Sequence, residues 1–457
     1  MSNDTIVAIS TPRGVGGIGV VRVSGPSALF IVSEIFSNKI VNPRYSYTGF
    51  VFDPQTNQRI DSAIATYFKA PHSYTGEDVC ELSMHGGIVN LEMVVKIIIR
   101  LGARLADKGE FTKRALINGK MDLVEANAVM EVIEARTERA LQIASARLFG
   151  ELSNSVIQFR TDVIELIALI EAPIDFPFDA ESLSKEVILE NLIKFKRTAE
   201  GFLSTYKTGK SFREGFSVVI AGKPNVGKST LLNTLLKFDR AIVSEVPGTT
   251  RDTIEELIDF RGLPVRLIDT AGYRSQPDLQ RTAIDFIEAL GIERAKKSIE
   301  SSDLILFVFD AGDEITQEDL TLIELTRSKN RIIVLNKGDV NKVTTEDSLR
   351  KLFENEEIIE ISALRRTGID KLENAIYDKL MPNQYETPFI TSEREKEIFE
   401  EIIQHIEEAI KVETVSKNDE LVAEELRLVV ETISRLLGEN VGNEILDNIF
   451  TEFCIGK

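Results

Sequence analysis

The chain has 457 residues, room for about three domains of ordinary size. Hydrophobic residues make up 43% and the net charge is −19, which allows a buried core and excludes a generic pull toward nucleic acid; a nucleic-acid partner would need a local basic patch or a second, basic protein. Two distant cysteines, Cys80 and Cys454, argue against a disulfide framework, and neither a secretory leader nor a bilayer-length apolar run is visible, so a cytoplasmic protein without a membrane partner is expected.

Residues 1–118 read as a mixed α/β unit. The short apolar runs IVAIS, IGVVRV, SAIATYF and DVCELSM alternate with Gly, Pro and Asn breaks. The run GVGGIG from Gly14 to Gly19 satisfies a dinucleotide-binding consensus, but a strand pattern follows it where that site needs a helix. It reads as a hairpin or close-approach loop. Residues 119–211 change character: Leu148, Leu152, Val156, Phe159, Val163, Leu166 and Ile170 recur every three or four positions, one face of a long helix or of helices in a bundle. Residues 212–380 alternate strands (FSVVIAG, IEELIDF, VRLID, LILFVFD, RIIVLN, IIEIS) with helices, the pattern of a mostly parallel sheet covered on both faces. The stretch MPNQYETPFIT reads as a linker. In 381–457 helical periodicity returns, with Ile398, Ile402, Ile406 and Ile410, then Leu426, Val429, Ile433, Leu436 and Leu437. Neither helical block has an obvious core of its own. They are expected to pack as one domain with 212–380 inserted into it; the alternative is two separate helical domains.

Four signatures of a guanine-nucleotide switch follow one another in this middle segment. They are GKPNVGKS from Gly222 to Ser229, the pair Thr249 and Thr250, DTAG from Asp269 to Gly272, and NKGD from Asn336 to Asp339. A weaker fifth, SAL, starts at Ser362. The phosphate loop follows a strand and opens a helix, as its mechanism requires. Gly222 and Gly227 let the backbone wrap phosphates, Lys228 reaches the β- and γ-phosphates, and Ser229 binds magnesium. Thr250 is the second magnesium hydroxyl, Asp269 closes that site, and the Gly272 N–H senses the γ-phosphate. Asp339 accepts from two donors on the guanine edge that adenine does not offer, hence GTP over ATP. The nucleotide set is Asn225, Val226, Gly227, Lys228, Ser229, Thr230, Thr249, Thr250, Asp269, Gly272, Asn336, Lys337, Asp339, Ser362 and Ala363. GTP binding and hydrolysis are therefore expected. Where many switches carry a water-orienting Gln after DTAG, this chain has Tyr273, so another group must place the water and offset charge. A monovalent cation is one solution, with Asn225 as an oxygen ligand; simple loop geometry is the other reading of Asn225.

Beyond these motifs, TIVAISTPRGVGGIGVVRVSGP, SYTGEDVCEL, HGG, GEFTKRALINGKMDL, IDFP, GTTRD, GIERA and a terminal CIGK resemble the MnmE (TrmE) family of tRNA-modification GTPases over the whole length. The resemblance implies an N-terminal tetrahydrofolate-binding α/β domain, a discontinuous all-α domain and an inserted Ras-like P-loop GTPase domain. It implies a homodimer paired through the N-terminal domains, G domains that approach one another with GTP and K+, and a flavin-using partner, MnmG. With that partner the family installs an aminomethyl or carboxymethylaminomethyl group on wobble uridines of certain tRNAs, the one-carbon unit coming from 5-formyltetrahydrofolate or methylenetetrahydrofolate.

By the same resemblance Asn225 is the side-chain potassium ligand, with groups at Ser244, Val246 and Thr249 completing the site. Glu288 orients the catalytic water, although the stretch between DTAG and Glu288 is longer than the family pattern and the match rests on IEALGIERA. Arg251 and Asp252 are switch residues that couple the domains. Arg22, Glu81, Lys120 and Lys457 are the folate residues, cations suiting a glutamate tail and a carboxylate suiting a pterin edge. For Cys454 no partner histidine is evident in sequence, and CIGK fits a prenylation box poorly. The competing class is a regulatory or assembly GTPase that binds ribosomal RNA, against which the acidic balance weighs.

Overall fold

The alternating apolar runs of the first hundred residues build one sheet. In the computed structural model, which describes residues 4–176, 183–238, 255–269, 298–354, 356–381, 388–415, 418–439, 441–451 and 453–457, these runs are β1 (Ile6–Ile9), β2 (Gly16–Ser24), β4 (Arg59–Phe68) and β5 (Val79–Gly86). With β3 (Ser46–Phe52) and β6 (Arg104–Leu105) they pair in the order β3-β4-β5-β2-β1-β6, antiparallel except for β1 with β6. Helices α1 (Ala28–Ile35) and α2 (Ile88–Arg100) cover one face, where Ile31, Val32, Leu91 and Val94 meet Val21, Val23 and Leu82 of the strands. Side chains alternate across a strand, so the opposite face carries a different set. Ala8, Arg22, Glu81 and Thr66 stand there in one row across β1, β2, β5 and β4. Helix α3 (Glu110–Ile117) closes part of that face, with Phe111 packed on Ile6 and Ala8. The glycine run leads directly into β2, and Gly16 pairs with Gly86.

Four helices follow α3 through the first helical segment: α4 (Leu123–Glu134), α5 (Glu138–Leu148), α6 (Glu151–Asp175) and α7 (Lys185–Ser204), then the short α8 (Tyr206–Glu214). The periodic residues from Leu152 to Ile170 are one buried stripe of α6.

The second sheet consists of β7 (Phe216–Ala221), β8 (Glu255–Phe260), β9 (Leu263–Asp269), β10 (Leu304–Asp310), β11 (Arg331–Asn336) and β12 (Ile358–Glu360). Its order is β12-β11-β10-β7-β9-β8, parallel apart from the β8–β9 hairpin. Every residue of β7, β10 and β11 is buried, as a sheet covered on both faces requires. Val218 and Ile220 join one cluster with α9 (Lys228–Phe238) and α12 (Ile369–Leu380). Val219 and Ala221 join the other, beside α10 (Gln317–Thr326) and α11 (Glu346–Arg350). The last elements described are α13 (Glu393–Val415), α14 (Asp419–Leu437) and α15 (Asn443–Phe450); α14, which buries Leu426, Val429 and Ile433, packs along α6.

By internal packing the molecule falls into two units, Met1–Met130 with Arg147–Leu192 and Gln404–Lys457, and Glu131–Ala146 with Ile193–Ile403. Among the described residues no helix is long and apolar enough to cross a membrane.

A buried ion network fastens α3 to the first sheet. Arg114, whose side chain is 5% exposed, donates to Asp4 (2.8 Å), Glu77 (3.0 Å) and Glu110 (2.9 Å). Arg104 reaches Glu110 at 2.5 Å and Asp4 at 2.6 Å. Burial alone would raise the Glu110 carboxyl, but the Arg104 guanidinium, the Asp107 N–H and Arg114 together hold it below its usual value. A depressed folded-state value means stability that is full above the ordinary carboxylate range and lost as pH falls through the folded value. Arg114→Ala would leave the largely buried Glu77 without its arginine and Glu110 with Arg104 alone, and should cost about 3–5 kcal/mol in a denaturant titration at neutral pH. The deficit should shrink in acid, and a loss below about 1 kcal/mol would show the network to be structurally idle.

Candidate functional site

Strand β7 runs straight into the phosphate loop, and the loop's glycines are there for want of room. Gly222 has φ +149° and Gly227 φ +97°. A Cβ on Gly227 would lie 2.3 Å from the Asn336 amide nitrogen, and one on Gly222 would lie 2.4 Å from the Val308 carbonyl. Lys228, the first residue of α9 and nearly buried, directs its ammonium into the loop, where it donates to Gly222 O (2.7 Å) and Lys223 O (2.8 Å). Ser229 and Thr230 follow on the exposed side of the first turn. Parallel pairing with β7 sets Asp269 opposite Ile220, two residues ahead of the loop.

The base-reading turn is tied to this loop by two side chains. Asn336 is 2% exposed; its amide donates to Val226 O (2.9 Å) while its oxygen accepts from Ala363 N (3.0 Å). Lys337 donates to Asn225 O (2.9 Å) and faces Asp310. The Ser362 hydroxyl, helped by the backbone and by Arg365 3.7 Å away, holds the Asp339 carboxyl below its usual range, so it stays an anionic acceptor. The geometry thus brings together Asn225, Val226, Gly227, Lys228, Asn336, Lys337, Asp339, Ser362 and Ala363. Asn225 is exposed and left-handed (φ +65°), a conformation asparagine tolerates better than most residues. Ser244, Val246, Thr249, Thr250, Arg251, Asp252, Gly272 and Glu288 lie outside the described residues, as does Tyr273. Two further residues outside the nucleotide set brace this site. Lys223 bonds Glu314 O (3.0 Å) and lies 3.5 Å from the buried Asp319, anchoring the loop's other flank. Asp310 is the second. The sequence sign of Lys223 is a charged residue inside the phosphate-loop motif, and that of Asp310 a charged residue at a strand end.

On the first sheet, Arg22 and Glu81 are register partners joined at 2.8 Å. The Arg22 guanidinium lies over the rings of Tyr74 (5.2 Å) and Phe111 (5.6 Å), two aromatic contacts that residue-type reasoning missed although both rings sit in quoted motifs. The chain terminus is laced onto the same region. Gly109 N donates to Cys454 O (3.3 Å) and Phe111 N to Lys457 O (3.2 Å). Burial lowers the Lys457 ammonium pKa, with the Arg22 charge adding to the shift. Lys120 is exposed on the turn after α3, with its stem against Gly76. Cys454 is exposed, whereas Cys80 is buried and its thiol is pushed up to about 12 by burial and by Asp78.

A phosphate loop between a buried parallel strand and a helix, with an Asn-Lys-x-Asp turn bonded to it, defines a P-loop GTPase. The chain also matches the family models described as GTP-binding protein TrmE N-terminus over residues 5–120 and MnmE helical domain over residues 123–454. A tRNA modification GTPase MnmE of Alkaliphilus metalliredigens is 38% identical, over 100% of this chain and 99% of that protein. One of Aquifex aeolicus is 42% identical, over 99% of this chain and 100% of that protein. A solved structure of Era from Aquifex aeolicus is 29% identical over 41% of this chain and 65% of its own, with a TM-score of 0.29, and adds no weight. The chain belongs to the MnmE family of tRNA modification GTPases and is a GTP hydrolase.

Proposed function

We propose that this chain is a cytoplasmic, potassium-dependent GTPase that acts as a homodimer with an MnmG partner. Together they install the 5-carboxymethylaminomethyl or aminomethyl group on wobble uridines of certain tRNAs, drawing the carbon from 5-formyl- or methylenetetrahydrofolate. The reading takes 1–118 as the folate and dimerisation domain, 119–211 and 381–457 as one helical domain, and 212–380 as the G domain. The observation that carries its finer part is the Arg22–Glu81 pair on one sheet face beside the Tyr74 and Phe111 rings, with the backbone of the terminal Lys457 bonded to Phe111. A cation, a carboxylate and flat apolar surfaces suit a molecule with a carboxylate tail and a flat heterocycle. The net charge of −19 supports the need for a second protein when tRNA is engaged.

In the G domain, Lys228 presents its charge to the β- and γ-phosphates, and Asp339 accepts from guanine. Ser229 and Thr250 supply hydroxyls and Asp269 a carboxylate for magnesium, which neutralises charge developing on the phosphates. The exposed Asn225 side chain is available to a potassium ion, with Ser244, Val246 and Thr249 completing its shell. Glu288 orients water, and Arg251 and Asp252 couple the switch to the rest of the chain.

Nucleoside mass spectrometry tests the whole reading. Cells lacking this chain should lose the wobble modification, regain it with the wild-type chain and not with Lys228→Ala; unchanged tRNA in every strain would refute the pathway assignment. Turnover should be at least tenfold faster in potassium than in sodium, a cation stabilising developing charge being worth rate factors of about that size or more. Asn225→Ala should erase that difference, and equal rates in the two salts for the wild-type chain would dismiss the cation site. Calorimetry should find 5-formyltetrahydrofolate bound by the full-length protein and weakened about tenfold or more by Arg22→Ala, as expected on losing a charged hydrogen bond. No heat with the wild-type chain would end the folate assignment.

A further inference from the structure

Asp310 is the last residue of β10 and faces Asn336 across the parallel register with β11. It is 7% exposed and has no place in the nucleotide motifs. One carboxylate oxygen accepts from Gly312 N at 2.9 Å; the other lies 2.5 Å from Lys337 Nζ. The same ammonium donates to Asn225 O at 2.9 Å. The two residues this ammonium connects are both left-handed without being glycine, Lys337 at φ +61° and Asn225 at φ +65°. For a lysine such a conformation is costly and needs support from its surroundings, whereas asparagine tolerates it more readily. Here one charged group supplies part of that support to both loops at once.

We propose that Asp310 is a positioning residue for guanine-nucleotide binding, acting through Lys337. Its nearly buried carboxylate fixes the ammonium on the Asn225 carbonyl, so the phosphate loop and the base-reading turn form one preorganised unit. An ammonium left to itself on a flexible four-carbon stem would sample many positions, and ordering it on binding would weaken affinity. A charge-assisted bond to a carboxylate already held by Gly312 removes that freedom beforehand. Both oxygens of Asp310 are committed to protein groups, so it bears on nucleotide affinity and not on the hydrolytic step. The inference rests on the assignment of Lys337 and Asn225 to the nucleotide site.

A double-mutant cycle on the full-length protein tests this, with methylanthraniloyl-GDP titration and steady-state GTP hydrolysis as readouts. Asp310→Asn keeps the shape and the acceptor for Gly312 N–H but removes the charge. It should weaken GDP about tenfold and raise KM for GTP by a similar factor, as loss of one charge-assisted bond implies, with kcat within about twofold of the wild type. Lys337→Met should weaken GDP at least as much, and the double variant should bind no worse than Lys337→Met alone. Wild-type affinity in Asp310→Asn, additive losses in the double variant, or a fall in kcat at constant KM would each overturn the proposal. Unaltered GDP binding by Lys337→Met would instead overturn the nucleotide-site assignment beneath it. Should thermal unfolding show Asp310→Asn to be unfolded, Asp310→Ser carries the same cycle.

Discussion

The side-chain amide of Asn336 is the constraint on which the nucleotide end of the molecule depends. It is almost completely buried, and it spans the Val226 carbonyl and the Ala363 amide. Three loops that are far apart in sequence therefore share one rigid planar group. A buried amide that lost either partner would carry an unmet polar atom, so the cost of moving one loop falls on all three. The same group stands where a Gly227 side chain would have to go, so the phosphate loop keeps glycine at its closest approach to the base-reading turn. The parallel sheet decides where this happens. Strand β7 lies between β9 and β10, and the loops leaving its carboxyl end open the crevice in which doubly wound sheets bind ligands.

Charge is handled differently in the first unit. An acidic chain brings Arg22 and Arg114 into largely covered positions and leaves Arg104 exposed, and each is matched by carboxylates. Arg104 and Arg114 fasten α3 to the sheet. Arg22 stands apart from that network: among the described residues it pairs with the Glu81 carboxylate and lies over the Tyr74 and Phe111 rings. An anionic ligand would meet Arg22 facing the Glu81 carboxylate, whereas Arg104 and Arg114 already face three carboxylates, Asp4, Glu77 and Glu110.

Much of this was legible from residue order alone. The strands of the second sheet coincide with the apolar runs, most plainly in the fully buried β7, β10 and β11, because a strand buried on both faces reads as a nearly continuous apolar run. The heptad-like stripe of α6 was legible for the corresponding reason at period 3.6. Strand β3 and helices α1 and α2 were not singled out. Ser46–Phe52 is half-exposed at a sheet edge, and its pattern is diluted by polar residues and a glycine. Lys120, grouped with Arg22 and Glu81 by resemblance, lies exposed beside Gly76, a placement set by the turn after α3.

The motif chemistry is local, and so the sequence by itself determined it. A phosphate loop, a guanine-reading turn and their order can be recognised because each works through backbone and side chains within a few residues. Contacts across the fold were decided only by the tertiary structure. The terminal lysine reaches the first sheet through hydrogen bonds between Cys454–Lys457 and the start of α3, more than three hundred residues earlier. Arg22 meets Glu81 through strand register, and Asp310 meets Lys337 because β10 and β11 end side by side. Register and strand order arise from the burial of whole faces, a property of the assembled sheet that no short stretch of residues carries.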